Sequence, residues 1–378
     1  MEKRKMSTTG IDMPLLGMGL MRMPTLDDGN IDEAQSLAMV DRMYGAGVRY
    51  FDTAYVYMGG ESEKFAKRAL VNRYPRESFY LATKLPGNRV KEEGDNEKLF
   101  SESCARMGVD YVDFYLLHGI DYDGWTYMKK MGCVDFQQRL KDEGRIKYAG
   151  FSFHGPVEDL NHILAEKSDW DFIQLMINYL DWYTDTAKEL YEIVSNKNIP
   201  IVVMEPVRGG ALANPGKDVS AVLEAARPED SAARWAMRWV GGLPGVNVVL
   251  SGVSELYMAE DNAEVYSPLE PISDAEEDVI KSAVEIIQSR PAVKCTGCRY
   301  CCPCPAGVDI PAIFEASNAI TRLYNEGHAK WMYTTMLKPE QLADRCIKCG
   351  ECVPKCPQFI DIPAELEKCH GIISKVLE

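Results

Sequence analysis

Eight short runs of β-branched and apolar residues, each followed by a longer stretch of helical period, constrain this chain more than any other feature. The runs are LGMGLMRM (16–23), RYFDTAY (49–55), FYLATKL (79–85), DFYLLHG (113–119), YAGFSFHG (148–155), FIQLMIN (172–178), PIVVMEP (200–206) and VNVVLSGV (246–253). Segments between them, such as IDEAQSLAMVDRMYGAG and EDSAARWAMRWVGG, place apolar residues three and four apart and close on Gly, as helices do. Strands that alternate with crossover helices run parallel. Eight such units in about 250 residues are the size of a closed (β/α)8 (TIM) barrel, whose active site lies at the C-terminal ends of its strands. The alternation predicts this α/β barrel over residues 1–272.

The full length of 378 residues leaves room for a second, smaller domain. Ser273 and Glu276 form a capping box that opens a helix to about Ser289, where Pro291 stops it, so 273–291 reads as a linker helix. The remainder, 292–378, contains an internal repeat: CTGCRYCCPCPAGVDIP (295–311) recurs as CIKCGECVPKCPQFIDIP (346–363). Each half supplies four spaced cysteines and then a DIP tripeptide, in which Asp309 or Asp361 can N-cap a helix.

Cys346, Cys349, Cys352 and Cys356, followed by Pro357, reproduce the CxxCxxCxxxCP run in which three thiolates hold one 4Fe-4S cluster and the fourth reaches the other. Cys295, Cys298 and Cys301 keep the same spacing, while Cys304 before Pro305 comes one residue early and has Cys302 as a competitor. Cys304 is preferred, because Pro and then the DIP element follow it as in the second repeat. In the crossed pattern Cys295, Cys298, Cys301 and Cys356 hold one cluster, and Cys346, Cys349, Cys352 and Cys304 the other. Two structural zinc sites are the alternative, but zinc normally takes separated CxxC knuckles rather than three cysteines at successive three-residue steps. Two adjacent clusters suit an electron wire better than a staple. Cys104, Cys133, Cys302 and Cys369 fall outside the ligand spacing and read as small buried thiols.

A net charge of −15 argues against nucleic acid and anionic membrane surfaces as partners, leaving small molecules and a redox protein. MEKRKMSTTG has no apolar stretch behind its basic residues, and no run of about 20 apolar residues occurs, so a cytoplasmic location without membrane insertion is expected.

The blocks FDTAYVY (51–57), ATKL (82–85) and LLHG (116–119) resemble the motif blocks of the aldo-keto reductase family, in its order and at its strand ends, and by that resemblance Asp52, Tyr57, Lys84 and His118, at the ends of consecutive predicted strands, are a catalytic tetrad for carbonyl reduction. Reducing a carbonyl needs a proton for oxygen as hydride reaches carbon, and a free tyrosine with a pKa of about 10 is a reluctant exchanger near neutrality. A lysine ammonium beside the phenol is expected to lower that pKa, an aspartate to hold the lysine charged, and a histidine to orient the substrate oxygen. The tail resembles bacterial dicluster ferredoxins, and the fusion looks like a branch of the reductase family.

The resemblance implies that Asp52, Tyr57, Lys84 and His118 are a catalytic tetrad and that NAD(P)(H) is the hydride carrier. It implies that Ser152 and Gln174 clasp the nicotinamide amide, with Phe153 where an Asn is usual and Met204 where a stacking aromatic is usual. Gly209 and Gly210 would pass near the pyrophosphate, Gly252 and Ser254 would open a phosphate-binding helix, and Asp261 and Asn262 would meet adenine. Gly252 and Met258 replace the basic residues that grip the 2′-phosphate of NADP, which leaves NAD, NADP or no nicotinamide open. Gly17 and Gly19 read as tight barrel turns rather than a phosphate fingerprint. Because clusters take one electron and a hydride carries two, a flavin, a radical-tolerant substrate or a partner must reconcile them, and no motif names a flavin site. The expected function is carbonyl reduction or alcohol oxidation coupled to the clusters; the alternative is an electron-transfer or redox-sensing protein whose barrel is a docking platform. Trp125, Tyr127, Trp182 and Tyr183 could line the pocket mouth or serve as packing.

Overall fold

Each of the eight apolar runs folds as a strand. In the computed structural model, which describes Met1–Glu378, a hairpin of β1 (Lys3–Lys5) and β2 (Asp12–Pro14) precedes the parallel strands β3 (Leu16–Gly19), β4 (Tyr50–Asp52), β5 (Tyr80–Leu85), β6 (Val112–Ile120), β7 (Ile146–Phe153), β8 (Phe172–Met176), β9 (Ile201–Met204) and β10 (Val246–Ser251). β10 pairs with both β9 and β3, closing an eight-stranded barrel that leaves no open edge.

The barrel is filled, not hollow. Tyr50, Phe114, Phe172, Val202 and Val248 form one buried cluster with Met6 and Met13 from the N-terminal hairpin segment. Phe114 meets Tyr50 and Phe172 edge-on at 4.9 and 5.0 Å between ring centroids, the geometry favoured by ring quadrupoles. Such density explains glycines inside strands. A Cβ at Gly17 would lie 2.7 Å from Val248 Cγ1, and one at Gly150 would lie 2.6 Å from the Phe172 carbonyl oxygen. Gly17 and Gly19 therefore belong to β3 itself and are not the turns expected from sequence.

The chain divides into two compact units, Met1–Pro206 with Arg234–Ser273, and Val207–Ala233 with Asp274–Glu378. The helix Asp274–Ser289 lies in the second unit and packs on the helix Lys217–Ala226 of the same unit. Arg290, which follows it, is buried and donates to Asp218 Oδ1 (2.6 Å) and to the Arg322 carbonyl (2.8 Å), with its guanidinium over the Tyr324 ring.

In the tail the helices Ile310–Thr321 and Ile362–Leu377 each begin at the DIP element, with Asp309 and Asp361 accepting from the backbone N–H groups of Ala312 and Ala364. They pack on one another through a core that includes Ile313, Phe314, Leu366 and Ile373. The loops before them share a backbone as well as a sequence. Gly297 and Arg299 are left-handed in the first repeat, Lys348 and Gly350 at the matching positions of the second. Gly307 and Phe359, three residues after the fourth cysteine of each repeat, are left-handed too.

Candidate active site and cysteine cavities

Asp52 ends β4, Lys84 lies one residue from the end of β5, and His118 lies near the end of β6. Lys84 Nζ donates to Asp52 Oδ1 (2.5 Å) and to the Thr53 carbonyl (2.8 Å), and both charged side chains are buried. The ammonium sits 4.7 Å from the Tyr57 ring centroid. The His118 ring stands edge-on to Tyr57, 5.7 Å between centroids. Three strands and one loop thus bring a carboxylate, an ammonium, a phenol and an imidazole together.

Tyr57 opens a turn in which Met58 (φ 50), Gly59 (φ 66) and Gly60 (φ 95) are all left-handed. Glycine adopts that conformation freely, whereas Met58 does so at a cost. The loop is held by side chains that no motif marks. Buried Glu63 accepts from Thr83 Oγ1 (2.7 Å), the neighbour of Lys84, and pairs with Arg106 Nη1 (3.1 Å), which also donates to the Tyr55 carbonyl (3.0 Å). Thr53 and Ser62 share a 2.6 Å hydrogen bond. Glu63 stands in the charged run ESEK, and nothing local marks it as buried.

Burial changes the expected proton chemistry. It pushes the Tyr57 phenol above its usual value of 10.0, outweighing the opposing pull of the Lys84 ammonium. The expectation of a lowered phenol pKa is therefore corrected: desolvation of the phenolate is the larger effect. Burial and the nearby Lys84 charge lower His118 to about 3, so its imidazole is neutral. Burial opposes the charge on Lys84, but Asp52 and Tyr57 more than offset it and hold the amine protonated.

Ser152 and Gln174 are register partners on β7 and β8, both buried. Ser152 Oγ accepts from Gly119 N–H (2.7 Å), leaving its hydroxyl hydrogen to donate. Gln174 Nε2 donates to Asp52 Oδ2 (3.3 Å), leaving its Oε1 to accept. One donor beside one acceptor is the complement of a carboxamide. Phe153 is buried, and Met204 ends β9 and packs against the barrel core.

Other expected cofactor residues are engaged within the protein. Asp261 is ion-paired with Arg234, and Asn262 donates to Ser251 Oγ (2.7 Å). The Ser254 carbonyl accepts from Gln35 Nε2 (3.1 Å), while a Cβ at Gly252 would meet open space. Gly209 and Gly210 belong to the second unit, where the Gly209 carbonyl accepts from Asn325 Nδ2 (3.2 Å). Trp125 is buried against Trp170, Tyr127 donates to the Val90 carbonyl and Trp182 packs on Trp239, whereas Tyr183 is exposed.

Nowhere do three or more His, Cys, Asp or Glu side chains converge on a point suited to one metal ion. The tail cysteines instead ring two cavities, which is the arrangement a multi-atom cluster takes. One is lined by Cys295, Cys298, Cys301 and Cys356, the other by Cys301, Cys304, Cys346, Cys349 and Cys352. Apart from Cys301, which lines both, the cysteines divide between the cavities as the crossed pattern divides them. Cys302 lines neither cavity, and Gly297 N–H donates to Cys295 Sγ (3.4 Å). Cys133 and Cys369 are buried, as expected, while Cys104 and Cys302 are half-buried.

Residues 15–285 match the model of the aldo/keto reductase family. The chain belongs to the aldo/keto reductase family. Residues 294–360 of this reductase match a 4Fe-4S dicluster domain, a span that includes all eight cavity cysteines. The reductase is 25% identical over 295 residues to an uncharacterized oxidoreductase of Bacillus subtilis, an alignment covering 70% of this chain and 90% of the relative. It is 24% identical over 307 residues to L-galactose dehydrogenase of Arabidopsis thaliana, covering 76% and 94%. Among solved structures, an aldo-keto reductase from Bacillus halodurans in its holo form shares the fold with a TM-score of 0.62 at 24% identity, covering 75% of this chain and 96% of that one. An aldo-keto reductase from Klebsiella pneumoniae in complex with NADPH gives 0.61 at 19% identity, covering 75% and 95%. This aldo/keto reductase is thus an oxidoreductase barrel that carries a 4Fe-4S dicluster domain, and no helix in it is long and apolar enough to cross a membrane.

Proposed function

We propose that the protein reduces a carbonyl compound with a nicotinamide cofactor, Tyr57 supplying the proton, and that its two 4Fe-4S clusters carry electrons. The observation that carries this reading is the convergence of Tyr57, Lys84, Asp52 and His118 at the C-terminal ends of adjacent strands, where this fold keeps its catalysts. A nicotinamide bound beside Ser152 and Gln174 would supply a hydride. The NADPH in the Klebsiella pneumoniae structure supports that choice of cofactor.

Burial raises the Tyr57 pKa further above neutrality, so at neutral pH the phenol is in the acid form that carbonyl reduction uses. Lys84, held by Asp52, stabilises the phenolate left after the proton has gone to the substrate oxygen. Neutral His118 donates one N–H to that oxygen and fixes its direction. Gln174 couples the two ends of the site, since its amide reaches Asp52 while its carbonyl remains for the cofactor. The eight cavity cysteines would hold the clusters, which supply a pair of neighbouring one-electron acceptors.

Replacing Tyr57 by Phe should lower kcat for carbonyl reduction by about 10²–10⁴-fold, with NADPH affinity, measured by fluorescence titration, unchanged. Stopped-flow mixing of NADPH with oxidised anaerobic protein separates the two halves of the proposal. Cluster absorbance that bleaches as NADPH is consumed supports coupling; turnover with clusters that stay oxidised removes the electron-carrying role, and cluster reduction unaffected by Tyr57→Phe without any carbonyl turnover favours an electron-transfer protein.

A further inference from the structure

Side chains along a barrel strand alternate between the interior and the outer wall, so residues two apart face the same way. Gln174 faces inward, since its amide reaches Asp52 on the opposite strand of the barrel, and Ser152 is its register partner. Two residues further along, at the open end, the same faces belong to His154 and Met176, and Met176 pairs in register with Met204. His154 therefore stands at the mouth of the barrel, one step above Ser152. A Cβ at Gly119, the residue after His118, would lie 3.7 Å from His154 Cδ2, so the segments that carry the two histidines lie side by side.

The His154 side chain is exposed to solvent and makes no hydrogen bond within the protein. Enclosure by the surrounding mouth nevertheless lowers its pKa, despite the nearby Glu205 carboxylate, so at pH 7 the imidazole is neutral, with one N–H to donate and one nitrogen to accept. Glu205 follows β9 directly and is left-handed at φ 57, an unfavourable conformation for a residue with a Cβ. Its Oε1 accepts from Arg22 Nη2 at 3.2 Å, and its Oε2 is left to accept. Its charge acts on both His154 and Tyr57, which sets it beside the reacting phenol. Because β8 lies between β7 and β9, the exposed side chain of Met176 stands between the two polar groups.

We propose that His154 and Glu205 bind a hydroxyl group next to the carbonyl being reduced, so that the protein selects uncharged α-hydroxy carbonyl compounds over plain ones. The hydroxyl donates to Glu205 and accepts from the His154 N–H, while Tyr57 and His118 hold the carbonyl oxygen. It is bound and not transformed, and Met176 covers the carbon chain beside it. A substrate without the hydroxyl displaces water from both groups and leaves them unpaired, and an acidic substrate is repelled by the carboxylate. The inference rests on the reading of Tyr57 as the proton donor of carbonyl reduction.

The test compares hydroxyacetone with butanone, which carries a methyl group in place of the hydroxyl, using the full chain and NADPH. Wild-type protein should favour hydroxyacetone in kcat/KM. Since the hydroxyl also activates the carbonyl by itself, the quantity that decides is the change in that preference on substitution. His154→Phe and Glu205→Leu should each lower kcat/KM for hydroxyacetone about ten-fold, the worth of one hydrogen bond, and leave butanone unchanged. Melting temperature and NADPH affinity, the latter by fluorescence titration, should keep their wild-type values in both. A preference that survives both substitutions overturns the proposal, as does an equal loss on the two ketones. Weakened NADPH binding in His154→Phe with the preference intact assigns that residue to the cofactor and overturns it too. Wild-type protein that binds NADPH and reduces neither ketone defeats the carbonyl-reduction reading itself, and the inference falls with it.

Discussion

Tyr57 shows how burial and charge compete at a single side chain. Its ammonium neighbour favours the phenolate, but desolvation is larger, and the phenol titrates above 10.0. Because the acid form is the proton donor, the rate of carbonyl reduction should be constant below that pKa and fall as pH rises through it. Neutral His118, lowered to about 3, adds no ionisation near neutrality. A profile of kcat/KM against pH should therefore be flat between about pH 5 and 8 and decline only on the alkaline side; a limb near pH 6.5 would show that His118 is charged in the working enzyme. Lys84 and Asp52 form a buried pair in which each charge depends on the other. Lys84→Met should cost about 3–5 kcal/mol of stability in denaturant melts, and adding Asp52→Leu should recover much of it by removing the unpaired carboxylate.

At the scale of elements, the repeat of the tail is a repeat of backbone conformation. Gly297 with Arg299 and Lys348 with Gly350 put glycine at opposite members of the same pair of left-handed positions, so the turn is retained while the residue changes. The one-residue contraction before Cys304 leaves it at its cavity and Cys302 outside. Cys304→Ala should lower bound iron from about eight to about four atoms per chain, whereas Cys302→Ala should leave it unchanged, as measured by iron assay and EPR. Equal losses in the two variants would reject the crossed ligand set. Within the barrel, the contact of Gly150 with Phe172 shows an element whose closest approach is set by a neighbouring strand rather than by its own turn chemistry.

Over the whole molecule, the two units differ in what holds them. The barrel unit has a continuous aromatic and aliphatic interior, with Phe114 meeting Tyr50 and Phe172. The tail has a smaller core, in which Cys301 is a buried member and six other cysteines, including Cys295, Cys304, Cys346 and Cys356, pack at the edge. A core so dependent on thiols should require its metal. Removing iron with a chelator under reducing conditions should lower helical circular dichroism from Ile310–Thr321 and Ile362–Leu377 and expose those helices to proteolysis, with the barrel strands staying protected in hydrogen exchange. Equal protection of the tail with and without iron would make the clusters dispensable for its fold.

Local order was legible in the residues themselves. Strand and helix periods, the capping aspartates 309 and 361 and the spacing of the cysteines all depend on neighbours a few residues apart, and pattern reports such relations directly. Other features depended on atoms distant in sequence. Burial of Tyr57 reversed the direction of its pKa shift, Glu63 became a buried anchor only through Thr83 and Arg106, and Gly17 proved to be a packing glycine because Val248 lies across from it. Asp261 and Asn262 are engaged by Arg234 and Ser251, and Phe359 stands exposed where its repeat partner is glycine. Desolvation and van der Waals contact are properties of a closed environment, and a linear chain has no environment until it folds.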